Sequence, residues 1–144
     1  YKDEIDILIH QNYHKLAREN GLSLEQFHLL IELDELMLDI HDNNQAPTVG
    51  ELAKNINNAQ NTVSERITRL ENKGLVKRIK DCSDRRISRV ILTDEGRSLI
   101  EQIEKQARGR FLQNCLSNME DADIDNLERC LKKLVDQMNA IKEG

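Results

Sequence analysis

A mainly α-helical fold with one small β-hairpin is predicted by three features of this 144-residue sequence. Aromatic residues make up only 3% and Pro occurs once, against 33% charged residues, a balance that suits helices better than a sandwich or barrel. Apolar residues recur at helical spacing along most of the chain, and change to an alternating pattern in two short runs, 75–79 and 87–92. The length fits one domain with its own core.

Each element follows from local signals. Ile5, Leu8, Ile9 and Leu16 define a first helix over Asp3 to Glu19, and Asn20-Gly21 ends it with residues that tolerate positive φ. Ser23-Leu24-Glu25-Gln26 is a capping box, in which the Ser hydroxyl and the Gln side chain satisfy free backbone N–H groups at a helix start. It opens a second helix through about Ile40, with Leu24, Phe27, Leu30 and Ile31 inward. The polar run His41 to Ala46 reads as a loop, and Pro47 follows it. A second box, Thr48-x-x-Glu51, starts a short third helix that turns Val49, Leu52, Ala53 and Ile56 inward. After the Asn57-Asn58 turn, Val63, Ile67 and Leu70 form the inner stripe of a fourth helix that Gly74 closes.

The two alternating runs make the hairpin, and the charged connection Lys80 to Arg86 between them is expected to project into solvent. Thr93 caps a long fifth helix with Asp94 and Glu95 in its first turn, where the helix dipole favours acids. The last helix, Asp121 to Ile141, carries Ile124, Leu127, Leu131, Leu134, Met138 and Ile141 at alternating three- and four-residue spacing. So narrow a seam suits lengthwise packing on another helix, and its terminal position points to a subunit contact. An ordinary amphipathic helix against its own domain is the other reading.

Helix-helix-helix, strand, charged loop, strand and helix in that order make a winged helix-turn-helix. Residues 23–99 are the winged helix-turn-helix, flanked by helices in residues 1–22 and 100–144. The total charge of −5 argues against a nucleic-acid partner only until its distribution is considered. Between Gln60 and Leu92 nine Lys/Arg face four acids, a net of +5, which leaves −10 for the rest. A basic middle between acidic ends is what a chain needs if one segment meets phosphate.

The inner stripe of the fourth helix leaves Asn61, Glu65, Thr68 and Asn72 opposite, flanked by Thr62, Ser64 and Arg69. Asn and Arg can read base edges in pairs of hydrogen bonds, while Thr and Ser serve bases or phosphates. A polar helix face is also what plain solvation looks like. The neighbouring loop adds Arg85 and Arg86, suited to the negative potential of a narrow minor groove, with Asp84 expected to orient an Arg from within the chain.

The run Asp84-Arg85-Arg86-Ile87-Ser88-Arg89-Val90-Ile91-Leu92-Thr93-Asp94-Glu95-Gly96 closely resembles the wing signature of the multiple antibiotic resistance regulator (MarR) family. Glu51-Leu52-Ala53, Thr62-Val63-Ser64 and Leu70-Glu71-Asn72-Lys73-Gly74-Leu75-Val76 resemble its helix-turn-helix and strand entry, so that the similarity runs from about Ser23 to Ile141. The resemblance implies N- and C-terminal dimerisation helices, with residues 1–22 and 100–144 as the helical dimerisation region, in a homodimer with intertwined terminal helices on double-stranded DNA with a palindromic operator, usually a repressor released by a small ligand or an oxidant. It places wing contacts on Asp84 and Arg86, with Arg85 of the same loop beside them, and recognition-helix contacts between Gln60 and Arg69, where Gln60, Asn61, Thr62, Ser64, Glu65, Thr68 and Arg69 are the candidates. It also implies a small-molecule effector pocket near Tyr13, Phe27, His28 and Phe111. The chain departs from the family where Asn58 and Ala59 stand in place of an apolar residue and a Ser or Thr cap, and Asn58 is expected to act as N-cap instead. The alternative function is a winged-helix protein-interaction module without specific DNA binding.

Other signals are weaker. No Ser-His-Asp set, Gly-rich phosphate loop or carboxylate cluster is readable, so no enzyme and no cofactor is expected. His10 and His14 share a helical face but lack a third ligand at a defined spacing, and no metal site is assigned. Cys82 lies on the wing among Lys80, Arg85 and Arg86, where a thiol can be activated, whereas Cys115 and Cys130 are expected to be buried near the subunit contact. No run of about 18 apolar residues or apolar leader occurs, so no membrane association and a cytoplasmic location are expected.

Overall fold

The computed structural model describes residues 1–38 and 45–143. Its elements are α1 (Lys2–Glu19), α2 (Leu24–Met37), α3 (Val49–Asn55), α4 (Gln60–Asn72), β1 (Val76–Lys80), β2 (Ser88–Leu92), α5 (Asp94–Glu104), a π-helical turn (Lys105–Arg110), α6 (Phe111–Leu116) and α7 (Asp121–Glu143). The predicted extension of the second helix to Ile40 and the first four residues of the predicted loop His41 to Ala46 lie outside the described residues. The predicted long fifth helix is α5, the π turn and α6 in succession, the helical ladder changing its hydrogen-bond spacing between Lys105 and Arg110.

Local signals explain the boundaries. Both capping boxes form: Ser23 Oγ accepts from the Gln26 N–H and Thr48 Oγ1 from the Glu51 N–H, while each Gln or Glu side chain returns a bond to its cap residue. Gly74, at φ +73°, ends α4 in a Schellman turn, in which Leu75 N–H reaches the Leu70 carbonyl and Gly74 N–H that of Glu71. The same pair of bonds closes α3 with a non-glycine residue in the left-handed region, Asn57 at φ 49°, and this makes the turn of the helix-turn-helix. At the start of α4 the expectation for Asn58 is corrected. Ala59 is the N-cap and has no side-chain bond to offer, while Asn58 Oδ1 accepts only the neighbouring Ala59 N–H.

One cluster of buried side chains joins the C-terminal half of α1 to α2, α3, α4, both strands and α5. α2 lies at its centre, packed by α1, α4, α5 and β2. Central placement corrects the inward set expected for α2: Phe27 and Leu30 are buried, but so are Leu29 and Leu33, while Leu24 and Ile31 are only half-buried. A helix surrounded on most sides has no single apolar stripe to read. Val63, Ile67 and Leu70 of α4 are fully buried, as their spacing predicts. The hairpin is antiparallel, with Val76 opposite Leu92 and Lys80 opposite Ser88, and Thr48 forms a further bridge to Arg89.

The ends differ from the core. Ile5, Ile7 and Leu8 of α1 and Leu127, Leu131, Leu134, Val135, Met138 and Ile141 of α7 are all exposed. Cys115 and Cys130 are exposed as well within the single chain, on α6 and α7 outside its buried cluster, and their expected burial near a subunit contact would need a second copy to cover them. None of the helices among the described residues is long and apolar enough to cross a membrane.

Candidate nucleic-acid interface

The fully buried stripe Val63-Ile67-Leu70 fixes the rotation of α4, so its other residues turn outward. Gln60, Asn61, Glu65, Thr68 and Arg69 are exposed, and Thr62 and Ser64 are half-exposed. Glu65 and Arg69, one turn apart, form an ion pair with N to O distance 2.5 Å, and Thr68 Oγ1 donates to the Ser64 carbonyl.

The wing is built from its base upward. Asp81 was expected in a solvent-projecting loop but is only 7% exposed. Its carboxylate accepts the backbone N–H groups of Ser83 and Asp84 and the Nε–H of Arg89, and these bonds hold its pKa at about 2, below the usual carboxylate range. Arg89 in turn donates to the Ala46 carbonyl, tying the wing to the segment before α3. Arg89 is therefore committed inside the fold although its charge counts towards the basic segment.

At the tip, Asp84 Oδ1 accepts from both the backbone N–H and Nε–H of Arg86, each at 3.0 Å, while Oδ2 accepts from Nη2 at 2.9 Å. The Arg86 side chain is nonetheless 91% exposed. A planar guanidinium held by two parallel bonds keeps its remaining donors directed outward. The same bonds keep the Asp84 carboxyl below its ordinary pKa. Arg85 is exposed beside it. Gln60 at the start of α4 and Arg86, Ile87 and Ser88 of the wing line one open groove of about 450 Å³ with Thr48, Val49 and Gly50. Helix and wing thus converge on a single concave surface.

A second, partly buried contact joins helix and strand. Arg78 of β1 donates Nη1–H to Glu71 Oε2 at 2.6 Å and Nη2–H to the Ser64 carbonyl and the Thr68 hydroxyl, while its backbone N–H reaches Glu71 Oε1. Those bonds hold the Glu71 carboxyl below its ordinary pKa, the backbone N–H most of all. The sequence shows Arg78 only as one more cation, and its pairing becomes visible only when β1 is laid against α4.

Away from that groove in sequence, Tyr13, Phe27 and His28 line an open cavity of about 180 Å³ with His10, Ile31, Glu35, Glu104 and Arg108. Phe111, expected with them, instead lines a separate groove with Asn12, Leu16 and Arg110, one turn further along the fifth-helix rod. Burial raises the Tyr13 hydroxyl above its usual pKa, opposed by nearby Arg108.

Comparison with known proteins bears on the middle of the chain first. Residues 22–88 match the model of the MarR family. An uncharacterised HTH-type transcriptional regulator of Bacillus subtilis strain 168, YsmB, is 33% identical over 91 residues, which cover 63% of this chain and 62% of that relative. The match therefore spans less than two thirds of the relative's own length. The transcriptional regulator Tm0710 of Thermotoga maritima superposes with a TM-score of 0.78 over 99% of this chain and 94% of that one, at 23% identity. MepR of S. aureus in a DNA complex superposes with a TM-score of 0.66 over 94% and 96% of the two chains, at 22% identity. At those identities the likeness is one of fold.

Proposed function

Because residues 22–88 match the model of the MarR family, we propose that this chain is a member of it: a homodimeric, sequence-specific DNA-binding transcription regulator, a repressor released by a small ligand. The observation that carries the reading is the groove shared by Gln60 and Arg86, with Arg86 exposed and oriented by Asp84. In this reading α4 enters the major groove, and Gln60, Asn61, Thr62, Ser64, Thr68 and Arg69 face bases and phosphates, with Glu65 orienting Arg69. The wing then reaches the adjacent minor groove, where Arg86 inserts, Asp84 fixes its direction and Arg85 meets the backbone. The structural likeness to a MepR that was solved with DNA supports the assignment of partner.

Residues 1–22 and 100–144 supply the dimer contact in this proposal, using the apolar side chains that α1 and α7 expose. Two copies related by a twofold axis would present two α4 helices to a palindromic operator. A small effector would occupy the cavity beside Tyr13, Phe27 and His28, between α1, α2 and the fifth-helix rod that leads to the dimer helices.

Selection of bound duplexes from a random pool, followed by a salt titration, tests the proposal. Specific binding should be recovered, and affinity should fall steeply as salt rises, since each neutralised phosphate releases a counterion. Arg86→Ala should weaken operator binding on the order of tenfold to a hundredfold, the value of one base contact. No binding to any duplex at low salt would overturn the proposal and favour a protein-interaction module.

A further inference from the structure

Three histidines from two helices, α1 and α2, meet side by side. His10 and His14 lie one turn apart on α1, and His28 reaches them from α2. Their ring centroids are 4.3 Å apart for His10 and His14, and 5.8 Å apart from each of these to His28. One nitrogen of each ring lies within 4.8 Å of one nitrogen of both others. His14 Nε2 is buried and has no hydrogen-bond partner among the described residues. Three convergent imidazoles, one with an unsatisfied buried nitrogen, are an unfavourable way to fill space. They are a favourable way to hold a cation.

We propose that His10, His14 and His28 form a binding site for a divalent transition-metal ion of the zinc type, with water in the fourth position. Imidazole donors suit zinc, cobalt and nickel rather than magnesium or calcium, which take oxygen. In a tetrahedral zinc site with Zn–N near 2.0–2.1 Å, donor nitrogens stand about 3.3 Å apart. The rings must therefore close by about 1.5 Å at most, which side-chain rotation supplies because His10 and His28 are exposed and free to turn. Burial first, and then the neighbouring histidines, lower the pKa of His14 and His28, which favours the neutral form a metal requires. The charged groups nearby are Arg18 facing His14 and Glu25 facing His28. Glu35, Glu104 and Arg108 share a cavity lining with His10 and His28.

Nothing in this inference requires DNA binding, so it stands or falls apart from the operator recognition proposed above, although His10 and His28 also line the cavity given there to an effector. Bound metal would cross-link α1 to α2, and so fasten the N-terminal helix to the core of the winged unit.

The test is titration of chelator-treated, reduced full-length chain with Zn²⁺ by calorimetry and with Co²⁺ by absorption. One metal per chain is expected, with cobalt d–d bands of nitrogen and oxygen ligation and no thiolate charge-transfer band. His10→Gln and His28→Gln, both at exposed positions, should each weaken binding on the order of a hundredfold or more, at or beyond what losing a supporting residue costs a metal site. Their circular dichroism should match that of the parent chain. Zn²⁺ should raise the melting temperature of the parent and not of His28→Gln, and affinity should fall between about pH 7.5 and about pH 5.5 as imidazoles protonate. Absence of saturable binding overturns the proposal. So does binding that survives both substitutions, or a cobalt spectrum dominated by the thiolates of Cys82, Cys115 and Cys130.

Discussion

Arg78 of β1 and Glu71 of α4 are joined by two bonds, guanidinium to Oε2 at 2.6 Å and backbone N–H to Oε1 at 3.0 Å. The pair fixes the angle between the strand that leads into the wing and the helix that faces outward beside it. Because Arg78 also bonds the Ser64 carbonyl and the Thr68 hydroxyl, it holds the middle of α4 as well as its end.

Arg78→Ala should therefore lower stability by about 1–3 kcal/mol, the usual range for losing hydrogen bonds to charged groups, discounted for partial exposure. It should also weaken DNA binding by more than one lost phosphate contact would, because wing and helix lose their common register. Chemical denaturation together with a binding titration measures both effects. A variant as stable as the parent, with a binding loss confined to a reduced salt slope, would show that Arg78 acts as a phosphate ligand instead.

Much of the architecture is legible in the residues themselves, because capping and burial are decided locally. Ser23 with Gln26, Thr48 with Glu51, and the stripe of Val63, Ile67 and Leu70 behave as their spacing predicts. Cation counting fails for a tertiary reason: Arg78 and Arg89 add to the basic segment on paper, yet each is committed to a carboxylate or carbonyl inside the fold. Asp81 is hidden in the same way, since nothing local distinguishes an acid in a charged loop from one folded beneath it. His28 is illegible as a partner of His10 and His14 until α1 and α2 are packed together. The family resemblance, with the scarcity of aromatics elsewhere, sets Phe111 near Tyr13, and one turn of helix is enough to carry it into another groove.

Acid should loosen the wing through Asp81. Its folded-state pKa of about 2 lies below the ordinary value of 3.8, so its contribution is complete at neutral pH, begins to fade as pH falls towards the ordinary value, and is gone below about 2. Asp81→Asn should melt below the parent chain at pH 7, and the gap should narrow as pH falls from about 5 towards 3. Thermal melts of both proteins across that range decide the matter. A gap independent of pH would mean that the carboxylate charge is not what holds Ser83, Asp84 and Arg89.

Gly96→Ala sets two effects against each other. Alanine is favoured over glycine inside a helix by about 1 kcal/mol, but a Cβ at this position would lie 2.0 Å from the Leu75 carbonyl oxygen. That oxygen accepts the Thr93 N–H where the hairpin meets α5 and cannot move away without breaking the bond. Overpacking of this kind typically costs about 1–3 kcal/mol and more where backbone must shift, so the variant should be net destabilised. A raised melting temperature would show that α5 slides away from β1 at little cost.

Leu134→Glu tests the seam of α7. The side chain is 56% exposed within the chain, at the middle of a row that includes Leu127, Leu131, Met138 and Ile141. If that row is covered by a second copy, a carboxylate at its centre is either desolvated or forces the helices apart, and the twofold-related copy doubles the penalty. Within a single chain the same substitution meets solvent and should leave the fold alone. Sedimentation equilibrium should accordingly show the parent at twice the chain mass and Leu134→Glu at one chain mass, with helical content preserved apart from the terminal helices. Operator affinity should fall with dimerisation, because two half-sites are then no longer engaged by one body. An unchanged mass for the variant would mean that α7 is covered along a different face, and the exposed residues Ile5, Ile7 and Leu8 of α1 would be the next positions to charge.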